Sequence, residues 1–208
     1  AGSSHDVDFA NFSGLDTINV AGSHDLTVVS AGSVSVVLNA YTQDITIDNS
    51  TLAGKTDEQN ISVSGATWGT TDATQTNVAL TATTAGSLET LNITSTGDAA
   101  NVFALDASDS DVTLKAVNID GSAAATIRAA AAEVSGVTVD ATGADVTLSL
   151  DTNGAISVNS ANFSGIDAIA LRDSAAGADS ATFTSLSSGQ HFVVQNSVDV
   201  LGMDMQGA

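Results

Sequence analysis

The chain contains no cysteine and no proline. Without cysteine there can be no disulfide, no thiolate metal site and no cysteine nucleophile. Positive charge is nearly missing too: Lys55, Lys115, Arg128 and Arg172 stand against 24 acidic residues, for a net charge of -20. Phosphate backbones are bound by clustered Lys and Arg, so no nucleic-acid partner is expected. Anionic membrane surfaces are not expected as partners, on the same ground. No apolar run approaches the ~20 residues of a spanning helix, and no membrane insertion is expected. Aromatic residues make up only 4%, too few to fill a thick globular centre or to build stacking platforms for sugars. The helix formers Glu, Lys, Arg and Gln are scarce as well.

What is present is Val, Ile, Thr, Ser, Ala, Gly and Asp. The β-branched residues pack well on a pleated surface. Strand candidates are short and numerous: Leu26–Ser30, Val34–Asn39, Ile45–Asp48, Ile61–Val63, Val78–Thr81, Leu91–Thr94, Val102–Leu105, Val112–Leu114, Val117–Asp120, Val137–Asp140, Val146–Leu150, Ile156–Asn159, Ile166–Leu171 and Phe192–Gln195. Turn residues separate them. One segment, Ala123–Glu133, is Ala-rich enough for a short helical turn, although strands are expected on both sides. The segment Asn49–Thr76, which carries Lys55, Asp57, Glu58 and Trp68 and includes the candidate Ile61–Val63, reads as a loop insertion.

Two internal similarities stand out. Ala10–Ile18 (ANFSGLDTI) and Ala161–Ile169 (ANFSGIDAI) share seven of nine residues. The phrase VNIDG at Val117–Gly121 precedes VTVDA at Val137–Ala141, and ATIRA at Ala125–Ala129 precedes DVTLS at Asp145–Ser149, each by 20 positions. That spacing is the size of one coil of a solenoid. The expected fold is therefore all-β: a right-handed parallel β-helix or related β-solenoid, with Ile119 stacked near Val139. One or two β-sandwich domains are the alternative. Residues 1–208 form a single β-rich repeat domain in this reading, a fragment of a longer chain.

The phrases NFSGLDTINVAG, NFSGIDAIAL and SLETLNITSTGDA (Ser87–Ala99) resemble segments of bacterial surface-layer (S-layer) proteins and RTX-type exoproteins exported by type I secretion. The resemblance implies a secreted, cell-surface structural protein, a solenoidal fold stabilised by Ca²⁺ outside the cell, and self-association into a lattice. It departs from the RTX pattern in one respect: the Gly-Gly-containing calcium nonapeptide is absent, so no ligand positions carry over from it.

The acids are mostly Asp, which suits turns and Ca²⁺ coordination alike. The densest cluster is Asp106, Asp109 and Asp111. Acids at i, i+3 and i+5 can wrap one ion, or simply shape a solvated turn. Asp120 and Asp140 complete the candidate metal set. No catalytic residue is proposed. There is no G-x-S-x-G elbow and no H-E-x-x-H, and with Arg128 and Arg172 the only arginines, a uronate lyase lacks the cations it needs. The expected roles are thus a lattice-forming surface protein, then an adhesin stalk or binding module that could meet a cell-surface polysaccharide, and last a polysaccharide-active enzyme.

Overall fold

The computed structural model describes residues 5–22, 24–29, 34–50, 52, 57–67, 76–83, 88–143, 145–152, 154–173, 180–185, 190–195 and 200–203, with backbone alone at 173, 195 and 200–203. Lys55, Trp68 and Asn153 lie outside the described residues. The chain is a parallel β-solenoid. Nineteen strands are described: β1 His5–Asp8, β2 Thr17–Val20, β3 Leu26–Val29, β4 Ser35–Asn39, β5 Asp44–Asp48, β6 Glu58–Ser64, β7 Asn77–Thr81, β8 Thr90–Thr96, β9 Asn101–Asp106, β10 Ala116–Gly121, β11 Ala125–Ala130, β12 Thr138–Ala141, β13 Val146–Thr152, β14 Ala155–Asn159, β15 Phe163–Ser164, β16 Ala168–Asp173, β17 Ser180–Thr184, β18 His191–Gln195 and β19 Val200–Met203. They form a nine-stranded sheet A (β1-β3-β5-β7-β9-β11-β13-β16-β18), a seven-stranded sheet B (β15-β12-β10-β8-β6-β4-β2) and a three-stranded sheet C (β14-β17-β19). Successive strands alternate between A and B through β13, and the third face is added in the C-terminal part.

Alternation with a period of two puts every second side chain inside. Parallel pairing then stacks like on like from coil to coil. In sheet B one inward ladder runs Ile18, Val36, Ile61, Ile93, Ile119, Ala141. A second runs Gln59, Leu91, Val117, Val139, Phe163. In sheet A, Phe103, Ile127, Leu148, Ile169 and Phe192 do the same. Ile and Val dominate because a branched Cβ fits the tight spacing of roughly 4.8 Å between strands. Polar groups caught inside are bonded at the corners. Asn101 is fully buried; its Oδ1 accepts from Ala66 N at 3.0 Å, and its Nδ2 faces Ser95 Oγ at 2.8 Å, Thr96 O at 2.9 Å and Val63 O at 3.2 Å. It does with a side chain what a backbone ladder cannot do round a bend.

The register departs from a fixed 20. Val117 lies opposite Val139, and Ile119 opposite Ala141, an offset of 22. Ala125 lies opposite Val146, an offset of 21. Elsewhere the offset runs from 18 (Thr17 to Ser35) to 33 (Asp44 to Asn77). Coils share their strands and differ in the loops they extrude, so no single period holds. The segment 49–76 is not wholly an insertion, because it contains β6, whose Gln59, Ile61 and Val63 are buried. Val112–Leu114 is not a strand: a turn closed by Val112 N and Asp109 O at 3.1 Å tucks Val112 into the core. The Ala-rich stretch is mostly strand, β11, with Ala125, Ile127 and Ala129 inward. Only Ala131–Val134 turns into a short helix, α1, which packs against β11, β13 and β14 and occupies the third side one coil before sheet C begins.

The nine-residue repeat is a corner device, not a coil. In both copies the residue two before the first Ala accepts from that Ala's N–H: Asp8 Oδ1 to Ala10 N at 2.8 Å, and Asn159 Oδ1 to Ala161 N at 3.2 Å. Each Phe N–H then closes a turn, Phe12 onto Phe9 O and Phe163 onto Ser160 O. Each Gly takes a left-handed φ, +73° at Gly14 and +65° at Gly165. The first copy leads from sheet A into sheet B, the second from sheet C into sheet A. The same turn thus serves different corners, each time crossing one face of the solenoid.

Equal turns need not carry equal energy. Phe163 is 5% exposed and stacks on Val139 of the coil beneath, whereas Phe12 is 62% exposed. Phe163→Ala is expected to cost about 3–5 kcal/mol, and Phe12→Ala less than about 0.5 kcal/mol. Urea melts of the two variants check this; equal losses would contradict the placement.

Candidate functional site

The acids nominated for calcium fall in two places. Asp106 ends β9, and its Oδ1 accepts from Ser108 N at 3.0 Å; Asp109 Oδ1 accepts from Asp111 N at 2.9 Å. Both are Asx turns, the commonest use of Asp in a loop. That loop links sheets A and B on the third side of the solenoid. Asp120 and Asp140 instead lie on β10 and β12, where their side chains point outward from sheet B. Asp120 Oδ1 accepts from Gly121 N at 2.7 Å, and Asp140 lies opposite Asn118. Among the described residues no three His, Asp or Glu side chains gather round one point. Calcium takes six to eight oxygens, so an ion at the 106–111 loop would draw most of its shell from backbone carbonyls and water.

There are three glutamates, and each reaches across to a neighbouring coil, as Asp25, Asp151 and Asp167 also do. Glu58 Oε2 lies 3.3 Å from Asn92 Nδ2. Glu89, only 4% exposed, accepts from Asp57 N at 3.1 Å and pairs with Lys115 Nζ at 3.6 Å. Glu133 on α1 accepts from Ala107 N at 3.4 Å. Glu133 and the 107–114 loop border an open groove of about 500 Å³. Burial pushes the Glu133 carboxyl above the usual range; the Ala107 N–H opposes this, and the charge of Asp106 adds to it.

The concave patch with the most chemistry lies on the outward side of sheet A. Arg128 of β11 and Arg172 of β16 flank β13, which contributes Thr147 and Ser149. Thr126 and Ala170 complete a floor of small side chains, and the groove measures about 420 Å³. Both arginines of the chain therefore line one groove. Arg172 Nη1 sits 3.0 Å from Asp151 Oδ1, its partner in register on β13. Burial raises the Asp151 pKa and lowers that of Arg172. Each shift is a preference for the neutral form, so the pair gains attraction but resists desolvation. Guanidinium forks beside hydroxyls suit a carboxylate or sulfate ligand. Nothing in the spacing of positions 128 and 172 reveals this convergence. The only sequence signal was that a chain so poor in cations spends both arginines on outward strand positions.

The remaining polar centres are structural. Tyr41 is buried at a corner, donating to His24 O at 2.6 Å and Asp44 O at 3.0 Å, and burial pushes its pKa up to about 12. The His5 and His24 rings meet edge to face at 5.8 Å. No helix among the described residues is long and apolar enough to cross a membrane. No family model, curated protein or solved structure matches this chain.

Because the folded pKa of Glu133 is raised, the folded state holds its proton more tightly than the unfolded chain. Stability linked to this group is present at low pH and is lost as pH rises from the unfolded value through the folded one. Glu133→Gln keeps an acceptor for Ala107 N and removes the charge. It should raise the melting temperature at pH 7 by about 1–2 °C and leave it unchanged near pH 3. A variant less stable than wild type at pH 7 would contradict this.

Proposed function

We propose that this chain is a structural module of an exported cell-surface protein, a lattice-forming domain of the S-layer or RTX-type exoprotein class, with Ca²⁺ as stabiliser and no catalytic role. The observation that carries the reading is the outward side of sheet B. Asn60, Asn92, Asn118, Asp140 and Ser164 lie side by side in one row across five strands. Asn92 Nδ2 donates to Asn60 Oδ1 at 3.0 Å and Asn118 Nδ2 to Asn92 Oδ1 at 2.8 Å. Such a ladder locks neighbouring coils and presents a regular, polar surface. The phrases that resemble S-layer segments, the Asp-rich turns and the net charge of -20 point the same way, since bound cations would relieve self-repulsion.

Purified chain in millimolar calcium is expected to form ordered assemblies visible by electron microscopy, and to disperse in chelator. A chain that stays monomeric at every calcium level contradicts the reading. The melting temperature should also rise with calcium: a ligand bound only to the folded state adds about 2.7 kcal/mol at a hundredfold excess over Kd. Changing Asp109 and Asp111 together to Asn should remove part of that rise. An identical melting curve in chelator and in calcium would sink the metal component alone.

An adhesin-type binding module is the second reading, and the arginine groove of sheet A favours it. There the ligand would be a carboxylated cell-surface saccharide. Titration with a uronic-acid oligosaccharide should show binding that weakens about tenfold in Arg128→Gln, the loss of one charge-assisted contact. Equal heats for wild type and variant would remove this reading.

A further inference from the structure

Thr147, Ser149 and Asp151 alternate along β13 with the buried Val146, Leu148 and Leu150, so all three project from the outer side of sheet A. Across the register Ser149 lies between Arg128 and Ala170, and Asp151 between Ala130 and Arg172. Alanine offers Asp151 no partner on one flank. Arg172 on the other is its one ion-pair partner among the described residues. The contact has a single prong: Nη1 donates to Oδ1 at 3.0 Å, and no second bond from this guanidinium is found among the described residues. The Arg172 and Asp151 side chains are 22% and 30% exposed, so solvent reaches the pair, and Arg172 also lines the groove. A guanidinium holds a carboxylate most strongly through two parallel bonds. A ligand carboxylate gripped by both prongs makes a stronger contact than the one Asp151 makes.

We infer that Asp151 is an internal competitor for the anionic ligand of this groove: it holds Arg172 until an incoming carboxylate takes its place, and protonation of Asp151 releases Arg172 and tightens binding. This rests on the saccharide-binding reading above and adds what gates the site. A ligand that needs Arg172 released is weakened by the fraction of time the pair is open; a pair closed about nine times in ten costs about tenfold in affinity. The sign of the pH effect follows from the groups around Asp151. Burial already raises its pKa beside Arg172. With ligand bound, Asp151 has lost its cation and gained an anionic neighbour, which raises the pKa further. Binding therefore takes up a proton, and affinity rises as pH falls towards the Asp151 range. The other charged or titratable groups near β13 are Arg128 on β11, opposite Ser149, Asp106 at the end of β9, His191 on β18, opposite Ala168, and Glu133 on α1, whose carboxylate accepts from Ala107 N. They add a background pH dependence that a variant at position 151 retains.

That variant is Asp151→Asn, which keeps the shape and removes the charge. Asp151→Ser is the second, because it also removes the carbonyl that could still hold Arg172. Melting curves first establish that both fold. Calorimetric titration with a uronic-acid oligosaccharide should then find both variants binding about tenfold tighter than wild type at about pH 7. Between about pH 7 and about pH 5, wild type should gain at least about threefold more than either variant gains. Wild type and variants with equal affinities and parallel pH profiles overturn the gate and leave the binding reading standing. Weaker binding by both variants overturns it as well, since Asp151 then positions Arg172 instead of competing for it. Absence of binding by wild type and both variants at either pH removes the binding reading, and the gate with it.

Discussion

Everything in this fold depends on one constraint: each inward side chain must pack against the side chain at the same height in the coil above and the coil below. Parallel pairing imposes it, because strands run in one direction at a fixed spacing. Where the ladder of sheet B reads Ile18, Val36, Ile61, Ile93, Ile119, branched side chains nest at that spacing without leaving gaps. With few aromatic residues to thicken the centre, cohesion comes from this nearest-neighbour stacking and from the corner bonds of residues such as Asn101 and Tyr41. A coil is held from two sides in the middle of the stack and from one side at each end.

The same constraint separates what the sequence reveals from what it hides. Alternating short runs such as VSVVLN and VTLSL identify strands, because burial acts on each strand locally. The pairing of those strands depends on how many residues the intervening loop extrudes, and no local pattern records that number. The 20-residue spacing between VNIDG and VTVDA was close enough to reveal a solenoid and two residues short of the true register. In sheet A the error was a single residue, 20 for 21, which would turn Ile127 from the core to the surface. Ala125–Ala130 misleads for another reason. Alanine has high intrinsic helix preference, but Ala125 and Ala129 occupy buried, inward positions beside Ile127, and packing outweighs propensity.

The functional surface was less legible than the fold. Asp-rich loops attract a metal reading because the same short carboxylate caps a turn and ligates calcium, and Asp106 and Asp109 show the first use in their own hydrogen bonds. The arginine groove and the Asn60–Asn92–Asn118 ladder arise from residues 26 to 44 positions apart brought together on adjacent or next-but-one strands of a sheet. Both are properties of register, so both stay hidden until the register is known. The repeated ANFSG phrase was visible at once, yet its meaning came only from the fold: one turn used at two corners, with its Phe buried in the second and exposed in the first.

If stacking from both sides is what holds each coil, protection must fall from the centre of the monomer to its ends. Residue-resolved hydrogen exchange on the monomer at low protein concentration measures this directly. The account predicts the slowest amides in β6, β8, β10 and β11, with progressively faster exchange towards β1 at one end and β18 at the other. Protection that is uniform along the chain, or greatest at β1, would contradict it.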